Sequence, residues 1–175
     1  MSSLHRPDPT EHAEYYGRYI DLVPDGDIVE TLMAQLADTL AVLEKFEGDQ
    51  EHFRYALDKW TVRDVVGHLV DSERVFAFRA LAIARSEVEL PGMDQEVWAR
   101  SAAAGQRPLA DLTKEWIAVR RSNVHLFATL GGWVGERIGT ASGFEFTVRC
   151  FPWIIAGHEL WHRRGLERDY LGALT

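Results

Sequence analysis

The sequence predicts an all-α protein, an antiparallel four-helix bundle whose second and third helices are joined by a longer connection. Three observations predict it. Four segments carry apolar residues at three- and four-residue steps, the spacing that collects them on one face of a helix. Two of these segments open on a capping signal and a third opens beside a proline, as helix starts do. No segment alternates apolar and polar residues long enough to found a sheet; Phe144–Val148 passes for a strand but is too short to count.

Residues 1–16 are polar, contain Pro7 and Pro9, and read as a flexible or docking arm. The first helix opens at Asp27, with Glu30 three residues on, so each side chain can satisfy a backbone donor at the helix start. Ile28, Leu32, Leu36, Leu40 and Leu43 form its stripe, which ends near Gly48. A polar connection containing Tyr55 leads to Trp60, and Thr61 with Asp64 repeats the capping signal. Trp60 is placed to pack on Val65 as a hydrophobic staple. Val62, Val65, Val66, Leu69, Val70, Phe76, Ala80 and Ile83 then carry the second helix to about Arg85.

Pro91 and Gly92 break the pattern, and a short helical piece around Trp98 precedes Gly105. The third helix starts at Pro108 and buries Leu109, Leu112, Trp116, Val119, Leu126 and Leu130 before Gly131 and Gly132 close it. A turn punctuated by Gly135, Gly139 and Gly143 leads to the last stripe, Val148, Phe151, Ile155, His158 and His162. Pro152 lies in it: a helix beginning at Thr147 would be kinked there, one beginning near Phe151 would not.

The 175 residues are expected to form a single domain, 1–175, and 46% apolar with 26% charged residues excludes disordered and fibrous classes. Nineteen Lys and Arg against 27 Asp and Glu leave a net charge of −8, with no basic stripe, which argues against nucleic acid or an anionic membrane as partner. Cys150 is the single cysteine, so no intrachain disulfide can form. Met1–Pro9 lacks a leader pattern and no run approaches the roughly 20 apolar residues of a membrane span; a cytoplasmic protein is the expectation.

Seven histidines in so acidic a chain need sorting. His158 and His162 are one helical turn apart on an apolar stripe, so both imidazoles can reach one metal ion. The competing reading is a pair of exposed or hydrogen-bonded histidines. Two imidazoles facing a core each need a buried partner, however, and a shared cation supplies both. His68, on the face of the second helix that carries Val65, Ser72 and Val75, is the best third ligand, since bundle cores build metal sites from facing helices. Three imidazoles leave coordination positions open to water, as catalytic sites do.

His158–His162 also satisfies H-E-x-x-H, the zinc-protease pattern with Glu159 as base. The position for a further ligand, six after His162, holds Arg168, a cation, and the 13 residues after His162 leave no room for the downstream elements of those enzymes. Protease activity is therefore a remote alternative. Glu159 stands about 100° around the helix from His158 and could act as base on a metal-bound water. Asp71, three after His68, could orient its imidazole. Glu73 and Arg74 read as solvated or paired across helices, Cys150 as a small buried apolar residue, and His5, His12, His52 and His125 as surface residues.

The run YALDKWTVRDVVGHLVDSERVFAFRAL from Tyr55 to Leu81, with TVRCFPWIIAGHELWHRRGLERDYL from Thr147 to Leu171, resembles the DinB-like superfamily of metal-binding four-helix bundles. The likeness extends to YIDLVPDGDI, DQEVWA and RPLADL and is strongest to the metal-dependent hydrolase branch, near the bacillithiol- and mycothiol-dependent S-transferases. It implies a metal triad of one His on the second helix and an H-x-x-x-H pair on the fourth, which falls on His68, His158 and His162. It also implies a divalent ion, nickel or zinc, a small-molecule substrate, a low-molecular-weight thiol as cosubstrate and a homodimer. The family's DNA-damage-inducible name supplies the alternative, a stress-induced binding or scaffold protein with a non-catalytic metal site. Trp161 and Pro152 depart from the family pattern, standing where many relatives carry a second adjacent His and a small apolar residue.

Overall fold

The computed structural model describes residues 4–174, most of them helical. In chain order the main elements are α1 (Glu14–Ile20), α2 (Ile28–Leu43), α3 (Val62–Arg85), β1 (Glu89–Leu90), α4 (Gln95–Ala102), α5 (Leu109–Phe127), β2 (Ile138–Ala141), β3 (Phe144–Thr147) and α6 (Cys150–Gly165). Beyond α6 the helix loosens into a π-helical stretch, Leu166–Leu171. The four long helices are those marked by the apolar stripes, and two of them, α2 and α3, start where the caps stand. Asp27 accepts from the Val29 and Glu30 amides, and Thr61 and Asp64 each accept from the other's amide. The first amide of α5, Leu109, donates to the Glu51 carboxylate in place of a local cap.

The helices pack α3 on α5 and α6, and α2 on α5 and α6. Trp116, Trp153, Phe127 and Phe151 fill the interior they share. Across it runs a charged tie. The buried Arg120 guanidinium on α5 pairs with Glu73 on α3 at 2.7 Å and donates to the Leu32 carbonyl on α2. The Trp116 indole and the Asn123 amide also donate to Glu73, and Gln35 continues the tie to the Ala156 carbonyl of α6. Arg74 pairs with Glu115. Both Glu73 and Arg74 are thus engaged across helices.

Two expectations need correction, and the open alternative at Pro152 is decided. Phe144–Val148, set aside as too short for a strand, supplies β3 of a three-stranded sheet in which β2 pairs antiparallel with β3 and parallel with β1. The β2–β3 turn is the dipeptide Ser142–Gly143, both residues at positive φ (55° and 79°), the conformation that matches the twist of a two-residue hairpin. Short strands are stable here because they lie on α3: a Cβ on Gly139 would stand 2.6 Å from Ile83 Cγ1. Pro152 is the third residue of α6, in the first turn where the missing N–H has no intrahelical acceptor to serve, so no kink is required.

The second correction concerns α1, which the apolar pattern did not announce. Tyr19 and Ile20 are buried, and α1 meets α6 so closely that a Cβ on Gly157 would lie 2.0 Å from the Tyr19 carbonyl oxygen. The segment before α1 is docked as well. Arg6 donates to the Ile20 and Val23 carbonyls, the Trp153 indole donates to the Leu4 carbonyl, and Arg149 pairs with Glu11.

Candidate metal centre

The cluster is assembled by two helices. The stripe of α3 places His68 between Gly67 and Leu69 in the buried interior, and α6 delivers His158 and, one turn later, His162. His158 Nε2 lies 3.1 Å from His68 Nε2 and 3.2 Å from His162 Nε2, and one nitrogen from each ring falls within 4.8 Å of the others. Metal–nitrogen bonds of about 2.1 Å set neighbouring ligands roughly 3.4 Å apart in a tetrahedron and about 3.0 Å apart in an octahedron. The two separations from His158 lie between, so the donor set suits one cation without selecting a metal.

Electrostatics agree with the geometry. Burial lowers the pKa of His68 to about 4 and that of His162 to about 3, and burial together with its two neighbours holds His158 well below the usual range. All three rings are therefore neutral at neutral pH, the form that ligates. Their surroundings are aromatic. Trp60 packs on His68 at 4.6 Å between ring centroids and lies nearly parallel to His162, while Tyr19 and Phe76 present edges to His158. The Ser72 hydroxyl stands 3.3 Å from both nitrogens of His68.

Other sequence candidates lie elsewhere. Among the described residues no hydrogen bond joins Asp71 to His68; Ser72 holds the position expected of it. Glu159 is buried with Oε1 accepting from the Thr39 hydroxyl of α2 and standing 4.0 Å from Arg163 Nε. Burial raises its pKa, and its Oε2 has no hydrogen-bond partner. Cys150 contacts the Glu11 carbonyl and the Thr147 hydroxyl, away from the cluster, and burial lifts its pKa to about 11. His5, His52 and His125 are exposed and His12 is half-buried.

Two cavities border the cluster. One, of about 490 Å³, is lined by His162, Trp60, Trp161, Tyr55 and residues of the π-helical stretch. The other, of about 220 Å³, is lined by His68, His158, Tyr16, Tyr19, Phe76 and Arg79. The aromatic walls escaped sequence reading. Trp60 carried a signal, its place before a helix cap, but that signal spoke only of packing.

Residues 31–165 match the family model of the DinB superfamily. The chain belongs to the DinB superfamily. Among solved structures it is similar to YfiT from Bacillus subtilis, described as a probable metal-dependent hydrolase with an unusual four-helix bundle topology. YfiT superposes with a TM-score of 0.64 at 20% identity, over 94% of this DinB-superfamily chain and 92% of its own. No curated protein matches the sequence. No helix among the described residues is long and apolar enough to cross a membrane.

Proposed function

We propose that this DinB-superfamily chain is a divalent-metal-dependent enzyme in which His68, His158 and His162 hold one zinc or nickel ion, acting on a small molecule as a hydrolase or as a low-molecular-weight-thiol S-transferase. The observation that carries this reading is the convergence of three neutral imidazoles, two buried and one half-buried, within 4.8 Å of one another. Family membership supports it, as does the likeness to YfiT, itself described as a probable metal-dependent hydrolase. A divalent cation in such a site supplies Lewis acidity that lowers the pKa of a bound water or thiol.

The chain's own residues do the rest. Ser72 fixes the orientation of His68, and Trp60, Tyr19 and Phe76 keep the rings dry and in place. Glu159 holds α6 against α2 through Thr39. This reading thus gives Glu159, the candidate base, a positioning role and leaves the protease alternative without its general base. The same reading takes the chain as a single antiparallel-bundle domain, a cytoplasmic homodimer that does not engage nucleic acid, in keeping with the net charge of −8 and the lone cysteine.

Elemental analysis of the purified chain beside a His68→Ala/His158→Ala/His162→Ala variant tests the site: about one ion per chain is expected in the first and none in the second. Equal metal content in both would sink the assignment. Conjugation of model electrophiles by a panel of thiols, and hydrolysis of model substrates, measured with and without added metal and in His158→Ala, tests the activity. Absence of any metal-dependent turnover would favour a binding or scaffold protein.

A further inference from the structure

Arg79 is 3% exposed, yet among the described residues no carboxylate lies within ion-pair distance of its guanidinium. Its hydrogen bonds to the Pro91 carbonyl and the Ser142 hydroxyl, 2.9 Å each, both leave from one nitrogen, Nη2. These acceptors and the Phe76 ring, whose centroid lies 5.9 Å from the guanidinium carbon, are all neutral, so no negative charge is paired with Arg79, a costly arrangement in a protein interior. Ser142 is one of two non-glycine residues at positive φ among those described, and its amide donates to the Leu90 carbonyl, so the β-sheet pins its hydroxyl onto Arg79.

Arg79 also lines the 220 Å³ cavity that reaches His68 and His158. On α3 it follows His68 by eleven residues, which at 100° per residue returns within about 20° of the same direction and about 16 Å further along the axis. Helical side chains lean toward the N-terminus, so the long Arg79 side chain extends back toward His68 and shortens that gap. Between them the wall is aromatic, formed by Tyr16, Tyr19 and Phe76. The volume equals that of about seven water molecules, enough for a compact organic molecule. Arg79 is the single lasting cation on this wall, so it matches one negative charge, and its planar fork matches a carboxylate better than a multiply charged phosphate.

We infer that this cavity takes a small carboxylate-bearing molecule, its carboxylate paired with Arg79 and its other end against the histidine cluster. Binding at Arg79 stands on its own geometry; that the molecule is a reactant rests on the metal-enzyme reading above.

Titration calorimetry on the full metal-loaded chain tests it, with phenylacetate, phenylacetamide and inorganic phosphate as probes. Phenylacetate should bind, Arg79→Met should weaken that binding at least tenfold, and phenylacetamide should bind both proteins alike. Equal phenylacetate affinity in the two proteins overturns the proposal, and so does an Arg79-dependent preference for phosphate. Should Arg79→Met fail to fold by circular dichroism, phenylglyoxal modification of the native chain decides. Phenylacetate should then slow labelling of Arg79 at least threefold by peptide mass spectrometry and phenylacetamide should not; no protection overturns the inference. Metal content, measured in the same samples, is expected to be unchanged by Arg79→Met. Failure of the histidine site therefore shows as missing metal, and failure of the anchor as carboxylate binding indifferent to Arg79.

Discussion

Replacing Gly157 by alanine sets two effects of opposite sign against each other. Within a helix, alanine is favoured over glycine by about 1 kcal/mol, so propensity alone predicts a more stable protein. Packing predicts the reverse. The new Cβ would lie 2.0 Å from the Tyr19 carbonyl oxygen and 2.3 Å from its carbon, and real Cβ atoms essentially never come within 3.0 Å of a neighbour. The obstacle is backbone, which cannot swing aside as a side-chain tip can, so α1 and α6 must part by at least about 1 Å.

Overpacking of this kind costs about 1–3 kcal/mol, and a backbone opponent places it at the upper end. Net of propensity, Gly157→Ala should lose about 2 kcal/mol, a fall in Tm of about 4–8 °C for a chain of this size. Urea and thermal unfolding measure it. Gly165→Ala on the same helix is the control: nothing lies within 4 Å of its Cβ position, so it should gain up to about 1 kcal/mol. If Gly157→Ala proved as stable as the native chain, the close approach of α1 to α6 would be wrong.

Removing the Arg120 partner of Glu73 leaves a buried carboxylate without its cation, so Arg120→Met should cost about 3–5 kcal/mol in urea unfolding. Glu73→Met/Arg120→Met should cost less than the two single changes together, and strict additivity in this double-mutant cycle would show that the pair is not coupled. At the edge of the molecule, hydrogen bonding to Arg149 lowers the Glu11 pKa from 4.5 to about 2. A depressed folded-state pKa contributes stability above pH 4.5 that is lost as the pH falls toward 2. Solvent screening at this partly exposed site leaves about 1 kcal/mol of it, so acid titration of Glu11→Gln should show that much less loss across this window; an unchanged acid limb refutes the linkage.

What was legible in the sequence was what repeats locally. The stripes of α2, α3, α5 and α6 and the caps of α2 and α3 are statements about neighbours three and four residues apart, and the structure keeps them. His158 and His162 were legible for the same reason, and His68 because its stripe faces the core. The hairpin was not, because its strands are short and their stability comes from Ile83, more than fifty residues away. Nor was α1, whose contact with α6 depends on an absent side chain at Gly157. Arg79 in a sequence is one more cation on a long helix, and its burial depends on a serine 63 positions later.

His68 and His158 are separated by 90 residues. An ion held by both would be a cross-link closing a long loop, made of coordination bonds in a chain whose single cysteine denies it a disulfide. Since the unfolded chain cannot bring the three imidazoles together at comparable affinity, every increment of metal affinity is also an increment of folding stability. Were the cluster so occupied, its occupancy and the survival of the bundle would form one equilibrium, and removing the ion would cost the protein structure.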